Sequence, residues 1–384
     1  MNIYINAYDG ACSLGISKIQ IMQNIFAKIP SITKNTIQSR DFMVGKIENL
    51  PDFDRNIKEV YNTRTNLILH QVLQNLNEPL DKLFKKYSKD RIAVVIGTTT
   101  AGVEENYKSM PDISPDLFYS RNSLSNASEF IKEYLGLKSL AFGISCACTS
   151  GAKVFIEAAR LLESNLCDAV ICGGVDSLNT LTIYGFDSLD ILTPPQDNAI
   201  PFSKNRNGIN IAEGGALFIL SKDRSNIKLK GFCANNDAFH ITKPNENFIA
   251  QKNAILLALK MANLDSSEID YINLHGTGTY ANDKMEANLI NDIFPQTPCS
   301  STKGVMGHTL GAAGALEAMV CSEILNQSSI NNQSQLPPHY YDEVYDLDIP
   351  KICLIEEKIS KNIKNALSLS FAFGGDNSVI ILGV

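Results

Sequence analysis

Apolar residues in this chain gather into short, nearly continuous runs, separated by longer stretches with helical spacing. Ile92–Gly97 (IAVVIG), Leu140–Ile144 (LAFGI), Ala169–Gly173 (AVICG) and Ala216–Leu220 (ALFIL) carry almost no polar side chain. Such runs predict strands buried on both faces under helices. Gly151–Ser164 sets Phe155, Ala159 and Leu162 at helical spacing, which predicts a helix with a core-facing stripe. The alternation then repeats, with Ile272–Leu274, Ala366–Phe371 and Val379–Gly383 as strands and Ala312–Asn326 as a helix. The pattern predicts an α/β fold of two similar halves meeting near residue 225.

Glycine-bearing stretches stand at the predicted strand-to-helix joints: Gly97–Gly102, His275-Gly-Thr-Gly-Thr279 and Phe373-Gly-Gly375. None has the spacing of a phosphate-binding loop or a dinucleotide fingerprint, so nucleotide binding has no support. Asp187–Asn210 is long, polar and proline-containing and reads as a surface excursion. No Pro/Ser-rich linker divides the chain.

Composition narrows the function. The 384 residues carry 34 Lys+Arg against 41 Asp+Glu, a net charge of −7. This argues against a nucleic-acid binder, which needs a basic footprint. The nine cysteines form no Cys-x-x-Cys pair, so neither a disulfide framework nor a zinc site is expected, and no metal is predicted. Residues 1–21 lack a basic start and carry Asp9 within their apolar stretch. No run of about 18 apolar residues occurs. The expectation is a cytoplasmic protein without membrane association.

Three segments carry candidate chemistry. Ser145-Cys-Ala-Cys-Thr-Ser-Gly151 follows a strand and opens a helix, so Cys148 sits where the helix dipole favours a thiolate and lowers the thiol pKa. Free backbone N–H groups there can face an oxyanion. A buried structural cysteine is the plainer reading. His275 ends a strand, and Asp283 with Glu286 has the spacing of a capping box at the start of the next helix. Ser301–Glu317 sets Lys303, His308 and Glu317 among Gly and Ala, which let backbones approach closely. One cysteine and two histidines at strand ends of both halves fit nucleophilic catalysis.

With these residues in hand, the sequence resembles the β-ketoacyl-acyl carrier protein synthases of the I/II class. The motifs run through the whole chain in order: Ala147-Cys-Thr-Ser-Gly151, Gly173-Gly-Val-Asp176, Pro201–Gly208, Ala212-Glu-Gly-Gly215, Asn273–Thr279, Ser301–His308, Gly311-Ala-Ala-Gly314 and Phe371–Asn377. The resemblance implies a thiolase-like five-layer α-β-α-β-α fold. Residues 1–225 would carry the nucleophile and residues 226–384 both histidines. His308 argues against the initiating Cys-His-Asn type, and Ala366–Val384 lacks the second cysteine of a thiolase. Gly173–Leu178, Tyr184–Leu189 and Asn62–Asn66 most resemble synthases of bacterial aryl polyene clusters.

The resemblance implies decarboxylative condensation of malonyl-carrier protein with an acyl group on Cys148, without organic cofactor. Cys148, His275, His308 and Lys303 would be the catalytic set, supported by Glu317. The N–H groups of Cys148 and Phe373 would hold the oxyanion, Phe371 and Phe373 would form a gate, and Thr277 and Thr279 would bind the pantetheine arm. Partners would be acyl- and malonyl-loaded acyl carrier protein, in a homodimer or a heterodimer with a chain-length-factor-type subunit. Arg55, Lys58, Arg64, Lys204 and Arg206 are candidate docking charges for that acidic partner. Asp376 stands where the family usually has Thr, Ala372 where Gly is common, and Lys153 is unusual. A non-catalytic chain-length subunit and a thiolase or acyltransferase are the alternative readings.

Overall fold

The computed structural model describes residues 2–384. Its main sheet has ten strands: β1 (Tyr4–Cys12), β2 (Ile92–Gly97), β3 (Ala141–Ile144), β4 (Ala169–Asp176), β5 (Gly214–Ser221), β6 (Ile227–Asn236), β7 (Tyr271–Asn273), β8 (Cys299–Ser300), β9 (Asn365–Ala372) and β10 (Asp376–Gly383). Their spatial order is β3-β2-β4-β5-β1-β6-β10-β9-β7-β8. Read outward from the middle, each half therefore uses its own strands in the order first, fifth, fourth, second, third. One topology occurs twice. β1 and β6 join the halves antiparallel, Tyr4 opposite Lys228 and Ile5 opposite Ile227.

Seven helices position the site: α1 (Arg64–Asn75), α2 (Asn126–Leu135), α3 (Ser150–Glu163), α4 (Thr180–Asp187), α5 (Ile249–Ala262), α6 (Tyr280–Ile293) and α7 (Ala313–Asn331). α3 packs on β2 and β4 of one half and on β10 of the other, and α7 likewise touches β5 and β9. Both are sandwiched between the half-sheets. That explains why α7 has no polar stripe: Ala315, Leu316, Ala318, Met319, Val320 and Cys321 are all buried. α1 and α2 cover the outer face of the first half, and α5 covers β6 and β10. α6 joins the outer core of the second half through Met285, Leu289 and Ile290. The result is the expected five-layer α-β-α-β-α stack. In its central layer Phe155 packs on Phe218 with ring centroids 4.8 Å apart; truncating such a side chain to Ala costs about 3–5 kcal/mol.

The two central helices meet through glycine. A Cβ on Gly151 would lie 2.6 Å from the Gly311 carbonyl oxygen, and one on Gly314 would lie 2.8 Å from the Ala152 backbone nitrogen. Only bare backbone permits this approach, and it draws the start of α3 against the segment leading into α7.

Two expectations need correction. Leu140–Ile144 was predicted to be buried on both faces, but β3 is an edge strand whose residues are half-buried. Asp187–Asn210 is a surface excursion only in part: Ser188–Asp190, Pro195–Gln196 and Lys204–Asn205 are exposed, but Pro201–Ser203 and Gly208–Asn210 are buried. Its polar groups find internal partners, such as Asn210 Oδ1 accepting from the Ala199 N–H at 2.6 Å, while Phe202 is fully buried. Among the described residues no helix is long and apolar enough to cross a membrane.

Candidate active site

The chain leaves β3 and turns through Ala147 at φ 48°, a left-handed conformation that costs a non-glycine residue about 1–2 kcal/mol. The Ser150 hydroxyl, donating to the Ala147 carbonyl at 2.6 Å, helps hold this turn. Cys148 then stands at the start of α3, with Sγ 3.0 Å from His308 Nε2. Its place at a helix start predicts a lowered thiol pKa. Burial instead pushes the Cys148 thiol up to about 12, although the Lys303 charge pulls the other way. Desolvation of a thiolate is the largest influence on the sulfur.

His275 follows β7, and its loop is held by two carboxylates. The N–H groups of His275 and Gly276 each donate to Glu286 at 2.7 Å, while Thr277 N–H donates to Asp283 at 3.1 Å. The expected capping box does not form. α6 starts at Tyr280 with Thr279 as its N-cap, so Asp283 and Glu286 lie inside the helix and reach back to the preceding loop. Sequence spacing identified the pair but misassigned its partner. Burial raises the Glu286 carboxyl to about 8, against the pull of its backbone hydrogen bonds.

Lys303 ties the histidine to α7. Its buried ammonium donates to the His275 carbonyl oxygen at 2.6 Å, pairs with Glu317 and stands 3.4 Å from His275 Nδ1. An ammonium can only donate, so Nδ1 accepts and the His275 ring proton lies on Nε2. His308 has no such constraint, because its Nδ1 has no protein partner among the described residues. Burial, reinforced by the Lys303 charge, holds both imidazoles well below their ordinary pKa. Two neutral rings thus stand 5.5 Å apart, edge to face.

A pocket of about 450 Å³ opens over Cys148, His275 and His308. Thr277 and Thr279 line it, their hydroxyls 3.0 Å apart. Phe371 meets the His275 ring at 5.9 Å, and Phe373 stacks on Phe186 of α4 at 5.6 Å. The structure therefore brings together every residue named for catalysis, gating and the pantetheine arm. Arg206 was missed as a wall of this pocket. Spacing and composition do not mark that position; beneath the His275 loop, Phe202 holds a left-handed φ of 63° and its ring lies against Gly276.

The docking set divides. Arg206 is a correction: its side chain is 1% exposed and pairs with Asp346 at 2.6 Å, so it is no surface charge. Arg64 is 29% exposed and is engaged internally, by the fully buried Glu213 and the Ile47 carbonyl. Arg55 and Lys58 are exposed, but pair with Asp54 at 3.2 Å and Glu133 at 2.6 Å. Lys204 is exposed.

The profile of the beta-ketoacyl synthase N-terminal domain matches residues 16–225, and that of its C-terminal domain matches residues 227–336. The chain is 31% identical over 316 residues to the 3-oxoacyl-[acyl-carrier-protein] synthase 2 of Coxiella burnetii, covering 76% of this chain and 75% of the relative. It is 25% identical to nodulation protein E of Rhizobium leguminosarum bv. trifolii, covering 98% of each. Among solved structures it superposes with a TM-score of 0.91 and 34% identity on the ketosynthase ApeO in complex with its chain length factor ApeC from Xenorhabdus doucetiae, covering 100% of this chain and 98% of the other.

Proposed function

The chain belongs to the β-ketoacyl synthase family as an elongating acyltransferase of the I/II type, and we propose that Cys148, His275 and His308 perform its condensation as follows. The Cys148 sulfur attacks the acyl thioester of a loaded carrier protein. Its proton passes to His308 Nε2, 3.0 Å away, and on to the departing pantetheine sulfur. The S–C bond to the carrier breaks as the one to Cys148 forms. Malonyl-carrier protein then loses CO₂, and the bonding electrons become an enolate. His275 Nε2–H, its tautomer set by Lys303, donates to the enolate oxygen; His308, whose Nδ1 has no partner to fix its tautomer among the described residues, moves its remaining ring proton from Nδ1 to Nε2 and becomes the second donor. Such positioned donors are a large catalytic term. The enolate carbon attacks the acyl-Cys148 carbonyl, giving 3-oxoacyl-carrier protein and a Cys148 thiolate. A solvent proton restores the thiol, consistent with its high proton affinity.

The observation that carries this reading is the Cys148–His308 contact inside the pocket shared with His275. The N–H groups of Cys148 and Phe373 serve as the oxyanion site, with Phe371 and Phe373 as the gate, and Thr277 and Thr279 receive the pantetheine arm. Lys303 acts through His275 and Glu317 through Lys303, so both are positioning residues. The functional halves are 1–225 and 226–384, and the protein works in the cytoplasm. Its partner is acyl carrier protein, and the free edge of β3 suits a second subunit, either a copy of this chain or a chain-length-factor-type protein. The polyene-type segments favour a growing polyene as the acyl chain. Intact mass after mixing with acyl-carrier protein tests the nucleophile: an acyl adduct on the wild type, absent in Cys148→Ala, is expected. Equal behaviour of the two proteins would refute it.

A further inference from the structure

The turn Phe373-Gly374-Gly375 connects β9 to β10, and both glycines hold left-handed backbone, φ 81° and 76°. Immediately after it, the Asp376 carboxylate receives Lys153 Nζ bidentately, at 2.8 Å to Oδ1 and 2.7 Å to Oδ2. Lys153 lies on α3, one turn beyond the nucleophile. The Thr149 hydroxyl, on the residue following Cys148, also reaches Asp376. That hydroxyl is 2.7 Å from the Cys146 carbonyl oxygen as well. It has one proton for two acceptors, so it bridges Asp376 to the turn that aims Cys148. The ion pair is mostly shielded, with 20% and 15% side-chain exposure, and joins residues 223 apart in sequence.

Other contacts hold the same turn from the opposite side. The Gly374 N–H donates to the Ile241 carbonyl at 2.7 Å, and the Asp237 N–H donates to the Gly375 carbonyl at 2.8 Å. Those partners belong to the second half of the chain. The Lys153–Asp376 pair is thus the charged contact running from the Phe373 turn to the helix that bears Cys148. We propose that Lys153 and Asp376 are positioning residues, which with Thr149 lock the Phe373 turn to the nucleophile helix and set the Phe373 N–H relative to Cys148 Sγ during acyl transfer. The proposal rests on Cys148 as the acyl acceptor. It also accounts for a carboxylate beside a site that binds an anionic malonyl group: the carboxylate is neutralised by its own lysine and lies behind the turn, outside the pocket lining.

Removing either charge frees the turn without touching a reacting atom. For Asp376→Asn and Lys153→Met, acyl transfer to Cys148 at saturating acyl-carrier protein should slow about 10-fold, the loss of one charge-assisted contact of about 1.4 kcal/mol. The concentration for half-maximal rate should stay within twofold. The reversed pair, Lys153→Asp with Asp376→Lys, should recover most of the rate. Amide hydrogen exchange across residues 370–378 should quicken in the single variants and slow again in the reversed pair. Wild-type acylation and exchange in the single variants would overturn the proposal. So would losses that follow the unfolding temperature and are not rescued by reversal. The exchange readout needs no acylation, so it reports on the lock even if the wild type took no acyl group on Cys148, an outcome that would refute the nucleophile instead.

Discussion

Lys303→Met removes an ammonium that three groups share. The methionine keeps the length of the side chain, but the donor to the His275 carbonyl, the donor facing His275 Nδ1 and the partner of Glu317 are lost together. Glu317 is 1% exposed, and breaking a buried pair by removing one partner costs about 3–5 kcal/mol. Stability would therefore obscure chemistry in the single variant. Lys303→Met/Glu317→Leu removes both charges, and an apolar replacement of a buried pair is typically near neutral. In that double variant the His275 proton is no longer confined to Nε2. A hydrogen bond from a charged donor is worth about 1.5–3 kcal/mol, so decarboxylation should slow about 10- to 100-fold. Losing the positive charge also lets both imidazole pKa values rise, so the acidic limb of the rate profile should move to higher pH. The assay is single-turnover CO₂ release from malonyl-carrier protein after Cys148 has been acylated, with the unfolding temperature as control. A double variant that folds like the wild type and releases CO₂ at the wild-type rate and pH profile would refute the reasoning.

Two further outcomes follow from the same geometry. His275→Ala should leave Cys148 acylation within about threefold and slow CO₂ release at least about 100-fold, the loss of one oxyanion donor, whereas His308→Ala should slow both steps, because only His308 touches the sulfur. Identical step-by-step profiles for the two variants would contradict that division. His339 is buried, donates from Nε2 to the Pro201 carbonyl at 2.9 Å and accepts the Ser301 N–H at Nδ1; burial lowers its pKa to about 4. Its folded value lies below the unfolded one, so its stabilisation is complete at neutral pH and is lost as pH falls from about 6.5 towards 4. The stability advantage of wild type over His339→Gln should shrink by about 1.4 kcal/mol per pH unit across that window, and a constant difference in denaturant titrations would refute it.

Continuous apolar runs made β2, β4 and β5 legible in the sequence, because strands buried on both faces leave no room for polar side chains. β3 carried the same pattern and proved to be an edge, since an apolar run does not say how many neighbours a strand has. The polar 187–210 segment, exposed in part, hides its buried portion for the converse reason. Ser203, Arg206 and Asn210 look like surface residues until their internal partners, distant in sequence, are seen. Cys148 and His275 were found because each follows a strand beside small residues, and His308 because it stands in a Gly- and Ala-rich run, although it lies between the short helix Lys303–Met306 and α7 and not at a strand end. Arg206 was found but placed on the surface, because a buried ion pair leaves no mark on spacing. The direction of the Cys148 thiol pKa was hidden for a related reason: a position at a helix start can be read from a sequence, but the depth of burial that raises the pKa cannot.

The central claim is that Cys148 carries the acyl group to which a decarboxylated malonyl unit is joined. The most direct measurement is a chase: load the wild type with isotope-labelled acyl-carrier protein, isolate the adduct, add malonyl-carrier protein and follow both proteins by intact mass. The label should leave Cys148 and reappear as 3-oxoacyl-carrier protein two carbons longer, with one CO₂ released for each adduct lost. Label that stays on Cys148 while CO₂ is released, or that returns to the carrier unextended, would contradict the account.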